Sequence, residues 1–190
     1  MVLEIVAGFV ALLLVVLLVA YAVNVYNQLV NLDRRVEQAR QNIDVLLKQR
    51  QDELTKLIDT VKKVMQHERE VLTALTEARE QAERASTPAE EADADQQVRQ
   101  ALATLRARAE DYPELRSQTN VMQFQERISA LENQIADRRE VYNESVTQYN
   151  TRIEQIPYVV FARRMGYEER ELFEATEAET ADVDVGEAFV

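Results

Sequence analysis

The chain begins with an apolar stretch that is as long as a membrane-spanning helix. No charged side chain occurs between Ile5 and Val23, and a helix needs about 20 apolar residues to cross the hydrocarbon core of a bilayer. Only Glu4 is charged before the stretch, and no small-residue cleavage site follows it, so the pattern differs from a signal peptide. We expect an uncleaved anchor that contacts the bilayer through Ile5–Val25, with residues 1–4 outside and a transmembrane helix over residues 5–26.

The basic residues around this anchor predict its orientation. No Lys or Arg precedes it, whereas Arg34, Arg35 and Arg40 follow it closely. The positive-inside rule then places the N-terminus outside and residues 27–190 in the cytoplasm of a single-pass protein of the cell membrane. A glycosylation triplet beginning at Asn143 would favour the opposite orientation, but it lies within a strongly helical pattern.

Beyond the anchor, apolar residues recur at alternating steps of three and four, which is a heptad-like pattern. Its membrane-proximal part, which we define as the seam, consists of Leu29, Leu32, Val36, Ala39, Ile43 and Leu46. The pattern falters at Arg50 and Glu53 and resumes from Leu57. Either one long helix or two shorter helices can produce it.

Two further helices have clear limits. Residues 87–90 read Thr-Pro-Ala-Glu, which predicts an N-cap, a proline at the first helical position and a capping box. This second helix is expected to end near Tyr112, because the residue before a proline is disfavoured in helical geometry. A third helix is expected to start at Thr119 or Asn120 and to stop at Pro157.

These lengths leave two arrangements open. A continuous helix over residues 25–85 would be about 90 Å long, against about 37 Å and about 55 Å for the other two helices. Either the first helix breaks near Arg50–Thr55 and folds back into a four-helix bundle, or the seam stays exposed. An exposed seam would pair with another copy, so the continuous helix predicts a homo-oligomer.

The arrangement also decides where the aromatic and basic segment of residues 158–165 lies. An up-down-up-down bundle would return it to the lipid interface, whereas an up-down-up bundle would leave it at the far end. We favour a short segment that caps the bundle.

Composition supports an all-α fold, with a single N-terminal transmembrane helix followed by an antiparallel bundle of three to four long helices. The 190 residues include three Gly, three Pro and no Trp, and the part beyond the anchor is long enough for one domain. This bundle is expected over residues 27–167. Without Cys, the chain forms no disulfide or thiolate metal site.

Charged residues are distributed unevenly along the chain. Acidic residues outnumber basic ones by 34 to 22, and residues 168–190 hold nine acids against Arg170, which predicts an acidic, disordered tail. The acidic balance argues against nucleic acid as a partner. Only four of the basic residues are Lys, and an acidic surface poor in Lys suits a halophile-like chain that is adapted to concentrated salt.

The sequence offers no candidate for catalysis, cofactor binding or metal binding. His67 is the only histidine and three glycines cannot form a phosphate loop, so we expect no enzyme. Polar residues interleaved with the apolar pattern could instead form a buried polar network, or could lie at its edge: Asp44, Glu132, Asn133 and Arg139.

Short fragments spread over most of the chain together match the sequence pattern of a known family. They are Tyr26-Asn27-Gln28-Leu29-Val30, Ile43-Asp44-Val45 with Leu47-Lys48 and Arg50, Val61-Lys62, His67-Glu68, Thr76-Glu77-Ala78-Arg79, Tyr112-Pro113 with Leu115, Leu131-Glu132-Asn133 with Ile135, Arg139, Tyr142-Asn143, Tyr149-Asn150, Pro157 and Phe173-Glu174. Together they resemble the LemA family of small membrane-anchored proteins, from Tyr26 to Ala175. The resemblance implies an outside N-terminus, a cytoplasmic antiparallel bundle and no known enzymatic activity.

The chain departs from the family pattern at two positions. Thr55 stands where the family commonly has proline, and Lys63 replaces a glycine. Both changes remove helix breakers and favour a more continuous first helix.

Two functions from different classes fit these observations. The first is a scaffold that self-associates through the seam and organises the cytoplasmic face of the membrane. The second is a binding or signalling adaptor, in which the bundle and the acidic tail dock an unknown cytoplasmic protein.

Overall fold

The structure, a computed structural model, describes residues 2–65, 68–112 and 119–173. Within these ranges the chain forms five helices: α1 (Val2–Val64), α2 (Arg69–Arg84), α3 (Pro88–Ala109), α4 (Thr119–Glu154) and α5 (Tyr158–Met165). The predicted all-α fold, with a long apolar N-terminal helix and a helical bundle, is confirmed.

Helix α1 runs without interruption for 63 residues. The predicted alternative of a break near Arg50–Thr55 is therefore wrong. The physical reason is local: neither Gly nor Pro occurs between Gly8 and Val64, so every backbone N–H in this range can continue the helix. The helix ends at Val64 and α2 begins at Arg69, so the other alternative, one helix over residues 25–85, is wrong as well.

The start of α3 follows the sequence prediction. Thr87 is the N-cap, its hydroxyl accepts a hydrogen bond from the Glu90 backbone N–H, and the Glu90 carboxylate accepts one from the Thr87 backbone N–H. Pro88 occupies the first helical position. This reciprocal capping satisfies two backbone donors that the first turn leaves unpaired. Helix α3 ends at Ala109, close to the predicted limit at Tyr112.

Helices α4 and α5 are separated by a short turn around Pro157. Helix α4 ends at Glu154, which agrees with the predicted stop, and α5 begins at Tyr158. Gly166 ends α5 in the left-handed conformation with φ of 72°, which a residue without Cβ adopts readily.

Two compact units can be distinguished, and α1 and α4 contribute residues to both. The first unit comprises residues 1–42 and 140–171. Its buried side chains come from the last residues of the predicted anchor and the following part of α1, from the second half of α4 and from α5. They are Val25, Leu29, Val36, Ala39, Tyr142, Val146, Tyr149, Ile153 and Ala162.

The second unit comprises residues 43–139 and continues from residue 172. Helices α2 and α3 pack against each other in it. Its apolar core combines side chains from α1 to α4 with Met65, which directly follows α1: Leu54, Leu57, Val61, Met65, Val71, Leu75, Ala78, Val98, Ala101, Leu102, Leu105, Val121 and Ile128.

Candidate functional site

The apolar part of α1 is the first candidate site, because it is exposed along its whole length. Its large apolar side chains from Val2 to Val23 are all accessible to solvent. Helix α1 is long and apolar enough to cross a membrane, and exposure of such a surface is unfavourable in water. This segment therefore fits a single membrane anchor.

The seam is the second candidate site, and most of its side chains are buried against other residues of the same chain. Leu29, Val36 and Ala39 are buried within the first unit, and Ile43 is buried within the second. Leu32 and Leu46 are partly buried. The expectation that a continuous first helix leaves the seam exposed is therefore wrong. In the first unit, residues 140–171 supply the apolar side chains that cover it.

A buried ion cluster in the second unit is the third candidate. Arg50 of α1 donates to the Asp95 carboxylate of α3 at 2.5 Å, and the two side chains are only 3% and 6% exposed. Arg139 of α4 pairs with the other oxygen of Asp95, and its second terminal nitrogen lies 3.6 Å from Glu91. Two arginines thus face two carboxylates in an almost dry environment. We call Arg50, Glu91, Asp95 and Arg139 the ion cluster.

The helices position these charges on faces that are otherwise apolar. Asp95 precedes the buried Val98 by one helical turn, and Arg50 precedes the buried Leu54 by one turn. Buried charges are strongly unfavourable unless they are paired and hydrogen-bonded. The cluster therefore fixes α1, α3 and α4 in one register. Arg139 also stacks 4.6 Å from the ring centre of Phe173, a favourable cation–π contact.

Glu132 of α4 lies beside this cluster. Burial raises the pKa of its carboxyl group, while the nearby guanidinium groups of Arg50 and Arg99 act in the opposite direction. Its Oε1 atom is buried and has no hydrogen-bond partner. Desolvation thus outweighs attraction, so the charged form of Glu132 is unfavourable here.

The structure brings together only part of the predicted polar network. Arg139 lies in the ion cluster and Glu132 lies next to it, whereas Asp44 and Asn133 are exposed. An exposed carboxylate or amide is solvated by water and needs no buried partner.

Sequence reasoning missed Arg50, Glu91 and Asp95, although a signal was present. Glu91 and Asp95 continue the apolar face of α3 toward its N-terminus at steps of three and four from Val98. Arg50 occupies the position in α1 at which the apolar pattern falters. Opposite charges at core positions of different helices indicate a buried pair.

The chemistry of the ion cluster is that of a structural link. Its arginines offer hydrogen-bond donors only, and these donors face Asp95 and Glu91. Among the residues that the structure describes, no group of three or more His, Cys, Asp or Glu side chains could hold a metal ion.

A C-terminal segment without regular secondary structure, which we call the strap (residues 167–173), is the fourth candidate. Within the first unit, the Asn150 side chain donates to the Arg170 carbonyl and accepts from the Arg170 N–H, both at 2.9 Å. Tyr142 donates to the Glu171 carbonyl at 3.2 Å, and Arg170 pairs with Asp33 at 3.0 Å. Asn150 and Tyr142 thus bind the backbone of the strap, and Asp33 binds the side chain of Arg170.

The strap changes the predicted boundary of the tail. The tail was expected to be disordered from residue 168, but Arg170 is paired and Phe173 is buried. The first six residues of that range therefore belong to the folded part, because side chains of α4 bind the backbone of Arg170 and Glu171 and Phe173 is buried. The remainder of the predicted tail, residues 174–190, lies outside the described residues.

Comparison with known proteins identifies one family. The model of the LemA family matches residues 39–186, which include the ion cluster and the strap. A search of curated proteins found no match.

Proposed function

This chain belongs to the LemA family, and on that premise we propose that it is a non-enzymatic, membrane-anchored adaptor that docks a cytoplasmic protein beside the bilayer. Its bundle would hold the acidic C-terminal tail at a fixed point, and the tail would bind the partner. The family supports a membrane-associated helical protein, and the finer role rests on the arguments that follow.

The anchor and the charges next to it support the membrane part of the proposal. The apolar surface of α1 between Val2 and Val23 is covered by no other part of the chain that the structure describes. Arg34 and Arg35 are exposed on α1 just beyond it. By the positive-inside rule these residues would lie in the cytoplasm, and the N-terminus would lie outside.

Burial of the seam favours an adaptor over a self-associating scaffold. A second copy could pair with Leu29, Val36 or Ala39 only if residues 140–171 were displaced from them. Such a displacement would expose several buried apolar side chains, each of which contributes about 1.5–3 kcal/mol to folding. Self-association through the seam therefore carries a large energetic cost.

The strap is the single observation that carries the adaptor proposal. Asn150 binds both polar groups of the Arg170 backbone, and Phe173 is buried beside Arg139. A tail that served only as a solubilising extension would need no such attachment. The five acids from Glu177 to Glu187 follow this attachment, and they suit a partner with a basic surface.

The ion cluster supports a role without catalysis. Its four side chains are paired with one another. The most exposed of them, Arg139, is only 14% exposed. A substrate would have to open the core of the second unit to reach them. We therefore assign them to stability rather than to chemistry.

Site-specific crosslinking in native membranes tests the adaptor proposal. The full-length protein would carry a photo-crosslinking residue at Val183 in the tail or, as a control, at Val141, which is exposed on α4. A third protein would carry the label at Val183 and amides in place of the five acids from Glu177 to Glu187. The products would be identified by mass spectrometry.

The adaptor proposal predicts one crosslinked protein from Val183 that is absent from Val141 and absent after the acids are neutralised. Crosslinks from Val183 to another copy of this chain would instead support the scaffold. A crosslinking pattern that is unchanged by neutralisation would contradict docking through the acidic tail.

A further inference from the structure

The exposed side of α5 has a composition that packing within the described part of the chain does not explain. Ile156, just before α5, is 87% exposed, and Val160 is 67% exposed. Arg164 follows Val160 at the next turn and is also exposed. Residues four apart lie on one face of a helix, so Val160 and Arg164 share one face of α5. Ile156 is exposed in the turn that leads into the helix, and Arg163 is exposed beside Arg164. We call these four residues the α5 stripe.

A hydrogen bond places the beginning of α5 close to the end of the membrane anchor. Tyr158 of α5 donates to the Gln28 side chain of α1 at 2.5 Å, and both residues belong to the first unit. Gln28 is five residues beyond Val23, or about 7.5 Å along the helix axis. The polar headgroup layer extends about 5–8 Å beyond the hydrocarbon core. Tyr158 thus lies at the depth of the headgroups when α1 spans the bilayer.

The charge of this region is unlike that of the whole chain. The chain has a net charge of −12, yet residues 155–167 contain two arginines and no acid. Anionic lipid surfaces attract arginines at this depth, and interfacial helices place apolar side chains among the headgroups with arginines beside them. Tyrosine is also favoured at this level.

We propose that the α5 stripe rests on the bilayer that α1 crosses, with Ile156 and Val160 among the lipids and with Arg163 and Arg164 on anionic phospholipid headgroups. The first unit thereby has two points of attachment, the anchor and α5. This surface would hold the first unit at one angle to the membrane. The proposal rests on the membrane anchor and not on the role of the acidic tail.

The absence of cysteine allows a direct test in the full-length protein. Val160→Cys would be labelled with an environment-sensitive fluorophore and reconstituted into vesicles of phosphatidylcholine, with or without phosphatidylglycerol. Val141→Cys is the matched control: it is an exposed valine of the same unit, about 20 Å before the end of α4. Acrylamide in the water and a spin-labelled lipid in the bilayer would quench the fluorophore.

We expect the label at residue 160, but not at 141, to be quenched by the spin-labelled lipid and protected from acrylamide in the anionic vesicles. Attraction of two arginines to an anionic surface corresponds to an increase of up to about 30-fold in the ratio of docked to undocked α5. The double substitution Arg163→Gln, Arg164→Gln should remove this dependence on anionic lipid, whereas Arg138→Gln, an exposed arginine of α4, should retain it.

Two results would overturn the proposal. If acrylamide quenched residue 160 as strongly as residue 141 in both kinds of vesicle, α5 would not contact lipid. If residue 160 were equally protected with and without anionic lipid, the assignment of Arg163 and Arg164 to anionic headgroups would be wrong. Purified vesicles contain no partner protein, so neither result depends on the adaptor role.

Discussion

Arg50 and Asp95 form an ion pair 2.5 Å long in which both side chains are almost completely buried. The two residues are 45 positions apart, and the pair joins α1 to α3. Arg139 adds α4 to the same carboxylate. A charged group shared by three helices makes their register highly specific, because a shift of one helix would leave a buried charge without a partner.

Removal of Arg50 should strongly destabilise the fold. Arg50→Ala leaves Asp95 with Arg139 alone and creates a cavity, so we expect a loss of about 3–5 kcal/mol in the free energy of unfolding. Lys48→Ala is the matched control, because it removes the exposed pair with Asp52 and should change stability by less than about 1 kcal/mol. Urea unfolding of the detergent-solubilised protein, followed by circular dichroism, compares them. Equal losses would contradict the structural role of the cluster.

Substitution of Glu132 should change the pH dependence of stability. Burial raises the pKa of this carboxyl group in the folded state, so folding favours its protonated form. Its contribution to stability is therefore fully present below the pKa of the unfolded chain and is lost as the pH rises through the folded pKa. We expect Glu132→Gln to be more stable than the original protein at neutral pH.

Thermal unfolding between pH 4 and pH 8 measures this effect. The difference between Glu132→Gln and the original protein should grow as the pH rises and then become constant. Glu126→Gln is the control, because Glu126 is exposed on the same helix, and it should show no such increase. A variant at residue 132 that is less stable at neutral pH would contradict the unfavourable burial of this carboxylate.

Loss of the Asn150 side chain should release the strap. Asn150→Ala removes two hydrogen bonds to the Arg170 backbone, each of which contributes about 0.5–1.5 kcal/mol. Hydrogen exchange followed by mass spectrometry should show faster exchange in a peptide that covers residues 167–173, while α4 remains protected. Gln148→Ala removes a contact with Glu144 on the same helix and should leave that peptide unchanged. If both variants exchanged alike, Asn150 would not hold the strap.

The proposed orientation predicts where an introduced cysteine can be labelled. Val2→Cys should react with a membrane-impermeant maleimide added to intact cells, because the positive-inside rule places the N-terminus outside. Val141→Cys, exposed on α4, should react only after the cells are opened. The reverse pattern would place the bundle outside and would remove the basis for a cytoplasmic partner.

Local signals in the sequence predicted most of the fold. The capping residues Thr87 and Glu90, and the stop at Pro157, depend on neighbours within a few positions, and the structure agrees with them. Absence of Gly and Pro from the later part of α1 indicated a continuous helix. The end of α1 at Val64 and the start of α2 at Arg69 were not predicted, because no proline, glycine or capping box marks them in the sequence.

The covering of the seam and the ion cluster could not be predicted in the same way. Apolar spacing shows that Leu29 and Val36 face a partner, but it does not distinguish another part of the chain from another copy. The pairing of Arg50 with Asp95 requires knowledge of which helices face each other and in which register. The pattern pointed to a buried face in each helix, and only the three-dimensional arrangement joins those faces.

The molar mass of the full-length protein in detergent, measured by light scattering, tests most directly whether the seam serves folding or assembly. The account predicts one copy per particle in high and low salt, with Val36→Ala less stable but unchanged in mass. Val45→Ala is the control, because this valine is exposed on the same helix. A discrete oligomer that dissociates in Val36→Ala and persists in Val45→Ala would contradict the account and restore the self-associating scaffold.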